Sequence, residues 1–258
     1  MASRRAIAGR AIRLLDLTSL GDDDDDAVVS ALCNKAVTAP GPIAAVCIWP
    51  RFITLARGLL EHSGVRVAAV ANFPAGGDNI ARAAREAEDI ANQGADEVDL
   101  VMPYTRWLGG DVGVAQDMIA ACKAECGGSV LLKVILETGR LGAVEKIYAA
   151  SRDAIEAGAD FIKTSTGKVE VSATPEAAEA MLRAIKDSGK DVGFKAAGGI
   201  RDTATAGAYL AIADRIMGPD WADARHFRFG ASGLLDDLLA ALGVVPGAPA
   251  PGDSKGSY

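Results

Sequence analysis

The chain has 258 residues, half of them hydrophobic, with 29 glycines, 10 prolines and few aromatics, which suits one large α/β unit. A formal charge of −7 and a pI near 5.0 argue against a nucleic-acid partner, because phosphate contacts need a net basic footprint. No apolar run approaches the roughly 18 uncharged residues of a membrane span, so the expectation is a cytoplasmic protein with no membrane contact.

The opening stretch MASRRAIAGRAIRLLDL carries basic residues throughout and no uninterrupted apolar core, so it reads as an extra N-terminal helix and not as a signal peptide. Short β-rich runs then recur. In order they are AIRLLDLT (11–18), IAAVCIW (43–49), RVAAVANF (66–73), EVDLVM (97–102), VLLKVILE (130–137), DFIKTST (160–166), VGFKAAGG (192–199) and HFRFGA (226–231). The acidic run 22–26, between the first two, reads as a solvated turn and helix start, where carboxylates favour the helix dipole. Helical segments 79–95 and 143–159 both close on Gly-Ala followed by Asp, glycine supplying the left-handed stop. The Pro/Gly/Ser-rich end, PGAPAPGDSKGSY (246–258), reads as a mobile tail, which leaves 1–245 as the domain.

Near-continuous apolar strands alternating with helices indicate a parallel sheet covered on its outer side. Eight units in this length predict a (β/α)₈ TIM barrel, with an open doubly wound sheet as the competitor. Cys33, Cys47, Cys122 and Cys126 show no paired-motif spacing. Cys122 and Cys126 fall four apart on one helix face, but no second Cys/His pair accompanies them, so reduced thiols and no metal are expected.

Catalytic groups of such barrels sit at the C-terminal ends of the strands. Asp16 and Thr18 end the first run, Asp99 lies in the fourth, Lys133 and Glu137 in the fifth, Lys163 in the sixth and Lys195 in the seventh. Alternation puts Asp99 on one face with Glu97 and Val101. Each charge alone could be a structural pair. Two lysines and an acid on three strands suggest chemistry, since buried ion pairs seldom improve on apolar packing.

An amine that attacks a carbonyl must be neutral, yet free lysine has a pKa of about 10.4, so only about one in 2,500 is reactive at pH 7. A second cation about 4 Å away supplies on the order of 4 kcal/mol at an effective dielectric of 20, against about 1 kcal/mol in water. A lysine pair in a shielded barrel mouth therefore fits a Schiff-base nucleophile. The ending TGK in DFIKTSTGK is not a nucleotide-binding P-loop, because Ile162 and Val169 stand where that motif needs Gly and Ser/Thr. GGIRD (198–202) and FGASG (229–233) follow the last two runs, the habitual phosphate position of this fold, with Lys168 and Arg201 able to add charge.

DFIKTSTGK, EVDLVMPY, VLLKVILETG, VGFKAAGGIRD and WADARHFRFGAS resemble the deoxyribose-phosphate aldolase family, with LLDLTSL, ALCNKA, CIWPRF and NFPAG extending the likeness over nearly the whole chain. The resemblance implies a TIM barrel that reversibly cleaves 2-deoxy-D-ribose 5-phosphate into acetaldehyde and D-glyceraldehyde 3-phosphate, without metal or other cofactor, in deoxyribonucleotide catabolism. It makes Lys163 the Schiff-base lysine, Lys195 the cation that eases its proton loss, and Asp99 the acid/base partner. Asp16, Thr18 and Cys47 fall where that family lines its pocket; Gly167, Lys168, Gly198, Gly199, Arg201, Gly230 and Ser232 fall where it holds phosphate. Tyr258 corresponds to a terminal tyrosine implicated in proton transfer, and a homodimer is the usual assembly. Ala196, Ala75 and Gly233 depart from the family pattern, which often has proline, histidine and serine there. Two alternatives remain open at this point: another Schiff-base sugar-phosphate aldolase or transaldolase-like barrel, and a non-catalytic phosphosugar-binding barrel.

Overall fold

In the computed structural model, which describes residues 2–244, eight strands pair in parallel: β1 (Leu15–Thr18), β2 (Ala45–Ile48), β3 (Arg66–Ala71), β4 (Glu97–Val101), β5 (Leu131–Ile135), β6 (Phe161–Lys163), β7 (Gly193–Ala197) and β8 (Phe227–Ala231). β1 bonds to β8 on one side and to β2 on the other, so the sheet closes on itself and the open doubly wound alternative is excluded. The tail 246–258, and Tyr258 with it, lies outside the described residues.

Each strand lies inside its expected run, and the ends differ for local reasons. The first run begins helically. Ser3 Oγ accepts from Ala6 N at 3.2 Å, capping helix Arg4–Ala11, and Ile12–Leu14 tightens into a 3₁₀ turn before β1. This opening helix packs beside helices Thr203–Met217 and Leu234–Leu242, with the Arg10 guanidinium on Asp214 at 2.6 and 2.8 Å. The sixth run is cut to three residues. Beyond Lys163, Thr164 N still donates to Lys195 O at 3.0 Å, but the next link to β7 is made by the Thr164 hydroxyl, which donates to Ala197 O at 3.1 Å and accepts from Ala197 N at 3.0 Å. The acidic run behaves as expected: Asp25 caps helix Asp26–Ala36 by accepting from Val28 N at 2.9 Å. A small antiparallel hairpin, Val37–Thr38 with Gly41–Pro42, has no counterpart in the sequence reading.

Strand alternation divides the core into two zones. Val46, Val67, Leu100, Val134, Ile162, Phe194 and Phe229 face outward into the apolar layer beneath the helices. The inward positions hold a cluster of charge: Asp16, Glu97, Asp99, Lys133, Lys163, Lys195 and Arg228 are all buried. Two glycines make room inside the barrel, one for the Phe161 ring and one for Lys195. A Cβ on Gly193 would lie 2.3 Å from the Phe161 ring, and one on Gly230 would lie 3.0 Å from Lys195 Cε.

Candidate active site

The register of the closed sheet brings the inward charges together. Asp99 pairs with Lys133, Lys195 with both Lys163 and Arg228, and Asp16 with Gly230. At the centre stands the Asp99 carboxylate. Its Oδ2 accepts from Lys163 Nζ at 2.7 Å and from Lys195 Nζ at 2.8 Å, and its Oδ1 accepts from Lys133 Nζ at 2.8 Å. The two predicted lysine nitrogens therefore share one oxygen and lie no further apart than those two lengths together.

Below this centre the network continues toward the lower end of the barrel. Lys133 also meets Glu97, and Lys195 meets Asp16 Oδ2 at 2.6 Å, an ion pair without hydrogen-bond alignment. Arg228 bridges Asp16 Oδ1 at 2.7 Å and Glu97 Oε1 at 2.9 Å, and stands over the Phe161 ring. Three carboxylates thus face four buried cations.

Burial pushes the Asp99 carboxyl upward, but the charges of Lys133, Lys163 and Lys195 outweigh it and hold the group well below the usual carboxylate range. Asp16 and Glu97 are lowered in the same way, the first by Lys195 and Arg228, the second by Lys133 and Arg228. Burial also favours proton loss from Lys195, yet Asp16 and Asp99 together keep it above the ordinary lysine value. Lys133 is raised against its own burial by Asp99 and Glu97. Two carboxylates within 2.8 Å thus favour the charged form of Lys195. Its effect on Lys163 is not that of a bare like-charged neighbour, since a carboxylate oxygen lies between them.

Above the network opens a cavity of about 650 Å³ at the C-terminal end of the strands, with Lys163 on its floor. Its wall includes eight of the residues expected there: Thr18, Gly167, Lys168, Gly198, Gly199, Arg201, Gly230 and Ser232. Two expectations need correction. Asp16 and Cys47 do not line this cavity; both are fully buried, Asp16 because Lys195 and Arg228 close on its carboxylate and Cys47 because Leu20 and its apolar neighbours cover it. Cys47 sits among Leu20, Ala68 and Val70 with its Sγ 3.8 Å from Asp99 Oδ2, and burial together with Asp99 pushes its thiol upward. Lys168 reaches the cavity wall, but its ammonium donates to Leu20 O at 2.7 Å, tying the loop after β6 to the loop after β1.

The departures from the resembled pattern also fall into place. Ala196 faces the outer apolar layer and Ala75 is exposed, so neither touches the cavity. Gly233 does line it, at the start of helix Leu234–Leu242, and a Cβ there would meet open space.

Sequence reasoning marked Lys133, Glu97 and Glu137 as polar interruptions without assigning them, and missed Arg228. Alternation was the available signal: Arg228 lies between Phe227 and Phe229, which face outward, so it must point into the lumen. Glu137 sits at the upper end of β5 with a left-handed backbone (φ 56°) and is buried. It accepts from Thr166 Oγ1 at 2.5 Å and from Thr166 N at 3.3 Å, while Thr166 Oγ1 accepts from Lys168 N at 3.0 Å. Burial raises the Glu137 carboxyl against those bonds. This relay sets the shape of the Thr166–Gly167–Lys168 wall.

Among the described residues no group of three or more His, Cys, Asp or Glu side chains is arranged to hold a metal ion, and no helix is long and apolar enough to cross a membrane.

A family model described as DeoC/LacD family aldolase matches residues 10–218. Among solved structures, one from Toxoplasma gondii ME49 that bears the provisional name deoxyribose-phosphate aldolase superposes with a TM-score of 0.86 at 23% identity, over 93% of this chain and 95% of its own. One from Coccidioides immitis, also provisionally so named, gives 0.78 at 27% identity over 89% and 85%. A tetrameric deoxyribose phosphate aldolase from Aeropyrum pernix gives 0.73 at 23% identity over 94% and 93%.

Proposed function

Because the chain belongs to the DeoC/LacD aldolase family, we propose that it is a class I aldolase that reversibly cleaves 2-deoxy-D-ribose 5-phosphate to D-glyceraldehyde 3-phosphate and acetaldehyde through a Schiff base on Lys163. One observation carries this reading. Of the four buried cations, Lys163 alone lines the cavity, and its nitrogen has a single carboxylate oxygen, which it shares with Lys195. It is the least anchored amine and the one that substrate can reach.

In the cleavage direction, neutral Lys163 attacks the C1 aldehyde of the open-chain sugar, and the carbinolamine loses water to give an iminium ion. The iminium nitrogen carries positive charge where the ammonium stood, so Asp99 Oδ2 stabilises it without rearrangement. The C3 hydroxyl then loses its proton, the C2–C3 bond breaks into the iminium, and glyceraldehyde 3-phosphate leaves an enamine behind. Protonation at C2 and hydrolysis release acetaldehyde and the free amine.

A carboxylate gripped by three ammonium groups is a weak base. Asp99 takes the C3 hydroxyl proton as the electron pair of the breaking C2–C3 bond neutralises the Lys163 nitrogen, when one of its three charged partners is lost, and returns a proton to C2 of the enamine; Lys195 is the cation beside it throughout. The phosphate is assigned to the Gly198–Gly199 and Gly230–Gly233 turns. Arg201 lies on the same wall, and the N-terminus of helix Leu234–Leu242 adds its dipole. Asp237, in the first turn of that helix, is turned away onto Thr203 at 2.6 and 2.7 Å, so it does not oppose an anion there.

Borohydride reduction in the presence of acetaldehyde should fix a two-carbon adduct on Lys163, located by peptide mass spectrometry, and Lys163→Leu should lose both adduct and turnover. An adduct on another lysine, or none, overturns the reading. A preference for ketone donors would point instead to another Schiff-base aldolase.

A further inference from the structure

If all its basic groups are protonated, the buried lumen holds one more positive charge than negative: Lys133, Lys163, Lys195 and Arg228 against Asp16, Glu97 and Asp99. The other groups around Lys163 leave this count unchanged. Cys47, from β2, is a neutral buried thiol, and Glu137, above β5, is a buried carboxyl that burial pushes toward its neutral form against the pull of Thr166 and Lys163, so it is counted as uncharged. Lys168, Arg201 and Asp24 line the open cavity, where solvent screens them, and Arg66 approaches Glu97 at 3.5 Å from the lower rim with nearly half its side chain exposed. A surplus charge in a desolvated compartment favours the loss of one proton.

The geometry decides which group gives it up. Lys133 has Asp16, Glu97 and Asp99 within 4 Å, Lys195 has Asp16 and Asp99, and Lys163 has Asp99 alone. Arg228 cannot give up a proton at all, because a guanidinium stays charged at any working pH. Without Arg228 the remaining three cations and three carboxylates would balance with every lysine protonated. Losing the Lys163 proton would then leave a buried negative charge.

Resting on the Schiff-base reading above, we propose that Arg228 is an electrostatic positioning residue for the reaction: it touches neither Lys163 nor the cavity, yet its permanent buried charge makes the surplus that drives the proton off Lys163. Lys195 then acts as one member of a counted set and not as the sole agent. Arg228 lies two strands from Lys163, on the order of 10 Å at the usual strand spacing. At an effective dielectric of 20 its removal should move the acid limb of adduct formation upward by roughly one pH unit.

The test is the pH dependence of acetaldehyde–borohydride trapping on the full chain. Arg228→Met should shift the acid limb to higher pH, and Arg228→Lys should leave it in place. The paired change R228M/E97Q removes one charge of each sign, restores the surplus, and should bring the limb back toward the unsubstituted position. A structural loss would not reverse in that way. If Arg228→Met does not fold, Lys133→Met also removes one cation and must move the limb in the same direction. A limb that stays put in a folded single-charge variant, or fails to return in R228M/E97Q, overturns the proposal. Absence of any Lys163 adduct in the unsubstituted protein would instead overturn the Schiff-base reading.

Discussion

Gly230→Ala tests whether the position of Lys195 matters, using the smallest possible change. Gly230 is held between Asp16 of β1 and Ala197 of β7, so its strand cannot step aside. A methyl group there would stand 2.9 Å from Ala197 Cβ and 3.0 Å from Lys195 Cε. Carbon–carbon contacts are comfortable at about 3.5–4.0 Å, so the lysine chain must withdraw by roughly 0.5–1 Å. Its ammonium makes contacts of 2.6 Å to Asp16 and 2.8 Å to Asp99, and a shift of that size degrades both. Losing one charge-assisted hydrogen bond costs about 1.5–3 kcal/mol. At 1.36 kcal/mol per decade, the turnover number should fall roughly 10- to 150-fold. Overpacking adds about 1–3 kcal/mol of destabilisation. The assay is steady-state cleavage of the sugar phosphate, with kcat and KM separated, alongside thermal unfolding. Gly230 also lines the cavity wall, so any change in KM is read separately and the fall in kcat is the part assigned to Lys195. A variant whose kcat per folded molecule equals that of the parent would refute the reasoning, whatever its melting temperature.

Two further outcomes follow from the same geometry. Thr166→Val removes the hydroxyl that joins Glu137 to Lys168 N, leaving a buried carboxyl group short of a partner at a cost of about 1–3 kcal/mol. The loosened wall should raise KM for the phosphorylated substrate more than it lowers kcat, and steady-state kinetics against unphosphorylated deoxyribose as control would detect this. Acid stability is set by Asp16, Glu97 and Asp99, all depressed in the fold. Each contributes stability above its unfolded value, about 3.9 for Asp and 4.3 for Glu, and loses it only as pH falls through the lower folded value. Near-UV circular dichroism should therefore show native packing through pH 4 and a cooperative loss below it; a midpoint above pH 4.5 would contradict the assignment.

How far the sequence carried the reading can be judged from particular residues. The alternation of β-rich runs and helices along the chain is a local property, set by side-chain shape and the preference of each segment, so all eight strands were legible before any fold was seen. The shortened sixth strand was not, because it depends on Thr164 meeting Ala197, 33 residues away. Lys163, Lys195 and Asp99 stood out because charge is rare inside apolar strands, and the glycine turns stood out because their place after the last two strands gave them meaning.

By itself, then, the sequence determined which strands carry charge and, through two-residue periodicity, which face each charge takes. Only closure of the barrel decided who meets whom. Asp16 and Arg228 are 212 positions apart and become partners because β1 pairs with β8. Periodicity fixes a side chain's direction but not the stagger between strands, and the stagger places three ammonium groups on one carboxylate and leaves, of the four buried cations, Lys163 facing the cavity.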